Sequence, residues 1–571
     1  MNARRLRSEF RNLFVLGVVC GIVFFLFLGS SPFYDKAEPR EAMVVRDIVL
    51  NGNWLFPMKF DTQIPSKPPL FHWVGALASI LSGEMTEATV RFPSALFASL
   101  GVFLLYYFGK QTYDSNTGLW AGLILATMAI YASIGLEARV DMTLTFAVAL
   151  TLFGFYLIYS GILRHELWWY LFFLSAGAGV MAKGPVSLVL CALVITVFLI
   201  AKKRADLFLR FVRHPGMILG IAACLSWYGA ALYMGGEQFF GLQFLKENFA
   251  RFFVHGEAGT GHQKPVYYFI PYFFTLGLPW TIFLPIVIWR FCEKRTLLDD
   301  RLLFLGIWVA VVFFFFSLSA GKRPPYILPL YPPLALLIAA SLCSYEAKVP
   351  AWILRSVSSL AIGVGLMTAA LFAGYLINDD LFWLLKLWPF PLEEDVASEL
   401  AVVREALNLP VWIVSAALSA SGVLWVLSGW NVLRGSLNRS VLYVSLMSLL
   451  GVGVAQGVVG PARATVQSYK EFMQATKQNV GGDGTLMIFP KRLDITSIVF
   501  YGGKNVTILH NDYETLRRHL QQSKDYVVMA EEEWKDLVSS GRLAVPVILH
   551  GRGSGPEGDD PLVLVRGVEK G

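Results

Sequence analysis

The sequence predicts an α-helical polytopic membrane protein with a small α/β domain at its C-terminal end. Of its 571 residues, 55% are hydrophobic and 16% charged, and mean hydropathy is +0.55. An average soluble domain has about 25% charged residues, so a chain this poor in charge needs lipid to cover much of its surface. About thirteen apolar runs have roughly the 18 residues that a spanning helix requires. Basic residues gather in alternate loops between these runs, as cytoplasmic loops do.

Arg4, Arg5, Arg7 and Arg11 precede the first run, 13–30, and no small-residue cleavage site follows before Tyr34. This reads as a retained first span with a cytoplasmic N-terminus. The other runs lie near 88–108, 117–135, 141–161, 167–182, 184–201, 216–234, 268–290, 302–319, 325–343, 352–377, 411–429 and 440–459. The loops then expected inside hold Lys110; Arg164; Lys202, Lys203, Arg204, Arg210 and Arg213; Arg290, Lys294, Arg295 and Arg301; Lys348; Arg434 and Arg439. An odd number of spans places the C-terminus outside. The net charge of +7 follows from these loops. No basic block is interleaved with stacking aromatics, which argues against a nucleic-acid partner. Cys20, Cys191, Cys224, Cys292 and Cys343 all lie in or beside apolar runs without a paired spacing, which argues against a disulfide framework or a zinc–thiolate site.

Two domains are expected: a transmembrane domain over 1–460 and an extracytoplasmic α/β domain over 461–571. Segment 31–87 is too polar to span. In it Pro39 suits the first turn of a helix, Asn51-Gly52 suits its end, and Ala42, Val45, Ile48 and Val49 repeat at helical spacing. That pattern suits a helix lying in the membrane interface, and 69–81 is a second short stretch of this kind. In the tail, strand-like runs at 485–489, 506–509, 526–529, 545–549 and 562–565 alternate with helical stretches at 513–522 and 531–539.

The ionisable residues of the outer loops carry the chemistry. Asp35-Lys36-Ala37-Glu38-Pro39-Arg40-Glu41 follows the first span, and Ser66-Lys67-Pro68-Pro69-Leu70 lies further along. Acids beside cations suit acid–base or phosphate chemistry; they equally solvate a loop and anchor a helix. Glu137-Ala138-Arg139-Val140-Asp141 crowds a short outer turn, where Arg139 can clamp either acid or meet a substrate. Lys183-Gly184-Pro185 and Gly321-Lys322-Arg323-Pro324-Pro325-Tyr326 put cations outside, against the topological bias. A bound phosphate accounts for them, and so does snorkelling to headgroups. The loop 235–267 adds Glu247-Asn248, Arg251, His255 and His262, and histidines near carboxylates are the residue types that hold a divalent metal.

Taken in order, these elements resemble the bacterial GT-C glycosyltransferases of the protein-mannosyltransferase-like group, and within it the lipid A aminoarabinose transferase family. The resemblance covers about 1–345 by motif and the remainder by topology alone. It implies transfer of a sugar from a polyprenyl-phosphate carrier to an envelope acceptor, whether lipid A, glycan or protein, on the outer face of the inner (plasma) membrane. The partners implied are that donor, that acceptor and membrane lipids. The catalytic carboxylate implied is Glu38, with Asp35 and Asp141 behind it. Arg40, Lys67, Arg139, Lys183, Glu247, Arg251, Lys322 and Tyr326 are implied to bind substrate, with Lys67, Lys183 and Lys322 converging on one cavity. A divalent metal is the one cofactor implied, with His262 as its ligand. Two positions depart from the family: Ala37 stands where it has the Asp of its acidic pair, and Ser66 where it has a metal-binding Glu. The rival reading, a lipid-linked-sugar transporter or flippase, predicts charges near the bilayer midplane and a repeat between the two halves. The charges lie at one face, and the sequence has no such repeat.

Overall fold

The computed structural model describes residues 3–60, 62–254, 263–293, 299–343, 349–378, 411–481, 486–503, 506–509, 511–522, 525–542, 545–551, 555–556 and 560–567. The first helix, α1 (Ala3–Cys20), continues through a π-helical turn at Gly21–Phe25. Two shorter helices, α2 (Ala37–Asn51) and α3 (Leu70–Ser82), then pack together at one end of the bundle. Asp35 Oδ1 caps α2 by accepting from the backbone N–H groups of Ala37 and Glu38 at 3.2 and 3.0 Å. Gly52, at φ 71°, ends it in the left-handed conformation expected of a helix C-terminus.

The bundle continues with α4 (Glu87–Thr112), α5 (Ser115–Ala126), α6 (Ala129–Ile134), α7 (Val140–Tyr159), α8 (Leu167–Lys183) and α9 (Val186–Ala201). Thr86 and Thr89 cap the start of α4 reciprocally, and Asp114 caps α5 by accepting from the N–H groups of Asn116 and Thr117. The helices α4 and α5 pass so close that a Cβ on Gly109 would lie 2.8 Å from the Cα of Gly118. Small residues allow such backbone approach in lipid, where packing rather than water exclusion holds helices together.

Among the described residues, nine helices are long and apolar enough to cross a membrane. A bent pair, Val266–Leu276 and Trp280–Cys292, meets at 97° and makes a tenth candidate span where the two halves are counted as one. The remaining runs of the thirteen expected form α5, α8 and α9, of 12, 17 and 16 residues. The run 117–135 is interrupted because Met128 is extended (φ −75°, ψ 129°) and the Ala129 N–H donates to the Leu278 carbonyl, outside its own helix.

The C-terminal segment forms one five-stranded sheet from β1 (Leu486–Ile488), β2 (Val506–Ile508), β3 (Tyr526–Ala530), β4 (Val547–His550) and β5 (Leu562–Arg566). The order is β2-β1-β3-β5-β4. The pairs β1/β2 and β1/β3 are parallel; β3/β5 and β4/β5 are antiparallel. The central β3 is buried along nearly its whole length. This segment docks at the α2 end of the bundle. The Tyr501 hydroxyl accepts from the Phe33 N–H at 2.8 Å and donates to Glu87 at 3.0 Å, Lys470 pairs with Glu87 at 2.7 Å, and Arg40 pairs with Asp494 at 2.9 Å.

Candidate active site

Two connected compartments open at the α2 end. One is a polar chamber of about 440 Å³ whose walls carry Arg40, Glu41, Lys59, Arg139, Asp141 and Arg323. The other is an apolar groove bounded by Leu144, Val186, Val189, Phe252, Phe315 and Phe316. Lys67, Lys183, Glu247, Arg251 and Tyr326 border both. Each is brought there by a different element. Lys67 comes from the loop before α3, Lys183 from the last turn of α8, Glu247 from the π-helical stretch Gly241–Ala250, and Tyr326 from the 3-10 turn Pro324–Leu330.

These boundary residues hold one another. Lys67 pairs with Glu247 at 2.6 Å, Arg251 reaches the same carboxylate at 3.1 Å, and Arg251 donates to the Tyr326 hydroxyl at 3.3 Å. Lys183 pairs with Asp141 at 2.5 Å and lies 4.7 Å from the centre of the Tyr326 ring. Burial draws the Lys67 ammonium below its ordinary value, although Glu247 beside it pulls the other way. Arg139 pairs with Glu137 at 2.5 Å and with Asp35 at 2.8 Å. Burial, and next the Glu38 charge, push the Asp35 carboxyl up to about 6 against the pull of Arg139.

Of the residues expected from sequence, Arg40, Lys67, Arg139, Asp141, Lys183, Glu247, Arg251 and Tyr326 share this site, and Asp35 stands behind Arg139. Two are placed elsewhere. Glu38 is 2% exposed and lines neither compartment. Its carboxylate takes both Nε and Nη2 of Arg91, at 2.7 and 2.8 Å, and the Ala138 N–H at 2.8 Å. An acid enclosed in this way joins α2 to α4 and to the 137–141 turn and has no open side for a substrate. The expected convergence of Lys322 with Lys67 and Lys183 also fails. Lys322 turns inward and donates to the Ser319 and Lys264 carbonyls, so it shapes the loop instead of the cavity. His255 and His262 lie outside the described residues.

Sequence reasoning named Glu41 and Arg323 only as members of their motifs, without a role of their own, and passed over His72 and Lys59. One signal was available for Glu41: it follows Ala37 by four residues, which places both on one face of a helix, and both line the chamber. Among the described residues no three His, Cys, Asp or Glu side chains gather as a metal site.

Residues 66–228 match the family model described as dolichyl-phosphate-mannose-protein mannosyltransferase. An undecaprenyl phosphate-alpha-4-amino-4-deoxy-L-arabinose arabinosyl transferase of Aeromonas salmonicida is 30% identical over 324 residues, which are 56% of this chain and 58% of that one. The Pectobacterium atrosepticum protein of the same name is 28% identical over 370 residues, 64% of this chain and 65% of its own. The chain thus spans less than two thirds of the length of these curated relatives. The crystal structure of ArnT from Cupriavidus metallidurans bound to undecaprenyl phosphate superposes with a TM-score of 0.77, at 19% identity and 97% coverage of both chains. The fold is therefore of the GT-C type expected, built on a multi-span membrane protein.

Proposed function

We propose that this chain, which shares its fold with ArnT and its 66–228 segment with the protein mannosyltransferase family, is a glycosyltransferase that moves a sugar from a polyprenyl-phosphate carrier to an envelope acceptor. The observation that carries this reading is the apolar groove ending under Lys67, Lys183, Arg251 and Tyr326. A polyprenyl chain suits such a groove, and its phosphate suits the cations at the boundary. Arg offers a planar fork and Lys a compact charge to phosphate oxygens. Glu247 and Asp141 occupy those cations in the free protein, so an arriving phosphate exchanges one set of oxygens for another.

The sugar then sits in the polar chamber, and the acceptor oxygen attacks its anomeric carbon. The leaving polyprenyl phosphate is stabilised as negative charge gathers on it, which is where fixed cations contribute most. Arg40 and Arg139 line the chamber and position the reactants; Asp35 and Glu137 hold Arg139 in place. Glu38 supports this frame and is not the base.

The positive-inside pattern supports a reading in which this end of the bundle and the C-terminal sheet face outward from the inner membrane, with the basic loops in the cytoplasm. The test is turnover of purified protein in lipid nanodiscs with labelled undecaprenyl phosphate-linked 4-amino-4-deoxy-L-arabinose and lipid A. Cleavage of the sugar–phosphate bond supports the reading. Movement of intact donor across a vesicle membrane without cleavage would replace it with the transporter.

A further inference from the structure

Glu41 is unlike the other acids at this site. Glu38 is held by Arg91, Asp35 and Glu137 by Arg139, Asp141 by Lys183, and Glu247 by Lys67 and Arg251. Among the described residues, Glu41 has one hydrogen-bonding partner: His72 Nε2, at 2.6 Å from Oε2. The Glu41 side chain is 21% exposed and lines the polar chamber; His72 lies fully buried behind it on α3.

Among the described residues His72 Nδ1 is buried without a hydrogen-bond partner, so the contact of Nε2 with Glu41 is the one that fixes the ring. Nε2 donates its N–H to the carboxylate, and the other carboxylate oxygen takes no hydrogen bond among the described residues. Burial pushes Glu41 up, but the His72 hydrogen bond, positive charge on His72 and the charges of Lys67 and Lys59 outweigh it and hold the carboxyl below its ordinary value. The other charged groups lining the same chamber are Arg40 on its own helix, paired with Asp494, and Arg139, Asp141, Lys183, Glu247, Arg251 and Arg323 from other elements.

We propose, resting on the glycosyl-transfer reading above, that Glu41 steadied by His72 is the base that takes the proton of an acceptor hydroxyl in the polar chamber. The acceptor oxygen bonds to the anomeric carbon as the bond from that carbon to the phosphate oxygen breaks. The electron pair of that bond leaves with the polyprenyl phosphate, and the hydroxyl proton passes to Glu41, which returns it to water after product departs. A phosphate acceptor, already ionised, has no need of such a base, so the pair marks a hydroxyl as the acceptor. Glu41 acts on the acceptor directly; His72 is a positioning residue.

The experiment uses the full chain in nanodiscs with undecaprenyl phosphate-linked 4-amino-4-deoxy-L-arabinose as donor and lipid A, intact or enzymatically dephosphorylated, as acceptor. Undecaprenyl phosphate binding is followed separately by thermal shift. The expected result is transfer to the dephosphorylated acceptor, with Glu41→Gln lowering kcat by about 10²–10⁴-fold at unchanged undecaprenyl phosphate binding. His72→Phe removes the donor and moves the acid limb of the kcat/KM profile to higher pH, and His72→Gln, which keeps an N–H, moves it back. Failure of the unaltered protein to bind undecaprenyl phosphate would remove the glycosyl-transfer reading itself. Binding with transfer only to phosphorylated lipid A, with no transfer to either acceptor, or with full activity in Glu41→Gln would overturn the role of Glu41 alone.

Discussion

Glu38 and Arg91 form a two-bond ion pair sealed inside the protein, with Arg91 Nε and Nη2 at 2.7 and 2.8 Å from the two carboxylate oxygens. Arg91 Nη1 also donates to the Leu28 and Ser31 carbonyls, at 3.2 and 2.7 Å. The pair thus ties the end of the first span, the start of α2 and α4 into one unit. Removing one partner leaves the other charge buried and unmatched, which costs about 3–5 kcal/mol. Glu38→Gln and Arg91→Leu are each expected to lower the unfolding temperature in detergent by several degrees. An unchanged melting curve in both variants would show that the pair is not structural.

Lys67 and Lys183 border both compartments, whereas Lys322 is spent on backbone carbonyls. Lys67→Met and Lys183→Met are each expected to weaken undecaprenyl phosphate binding by about 1.5–3 kcal/mol, the range for a hydrogen bond to a charged group. Lys322→Met is expected to lower thermal stability more than binding, because it orphans the Ser319 and Lys264 carbonyls. Titration of the three variants with undecaprenyl phosphate separates the two outcomes.

Asp35 titrates at about 6 in the folded protein against an ordinary 3.8. A raised carboxyl favours the folded state while protonated, so its contribution is full below about pH 4 and is lost as pH rises through about 6. Unfolding midpoints of the unaltered protein minus those of Asp35→Asn should therefore fall between pH 4 and 6 and level off above. A flat difference curve would place Asp35 at an ordinary pKa.

Tyr501 bridges the C-terminal sheet to the bundle by accepting from the Phe33 N–H and donating to Glu87. Tyr501→Phe leaves both partners short of a hydrogen bond, at a cost of about 1–3 kcal/mol. Limited proteolysis should release the C-terminal segment faster in this variant, and faster still with Lys470→Ala added, because Lys470 holds the same Glu87. Release at the unaltered rate would mean that docking rests on the apolar contacts of Phe33 and Phe500.

The sequence by itself determined the membrane class, most of the spans and the five-stranded tail, because hydropathy and strand alternation are local properties that each segment carries alone. The family resemblance carried by its ordered motifs also grouped Lys67, Asp141, Lys183, Glu247, Arg251 and Tyr326 as one expected site, and these six line the two compartments. Only the tertiary structure decided which charges face the chamber. Glu38 and Glu41 lie three residues apart on one helix, and the family resemblance made Glu38 the candidate. Helical rotation turns Glu38 toward Arg91 on α4 and Glu41 toward the cavity, with His72 on α3 behind it. Lys322 was misjudged for the same reason: a cation beside a membrane edge announces its charge in the sequence, but the carbonyls that capture it are assembled by residues 319 and 264, which meet only after folding.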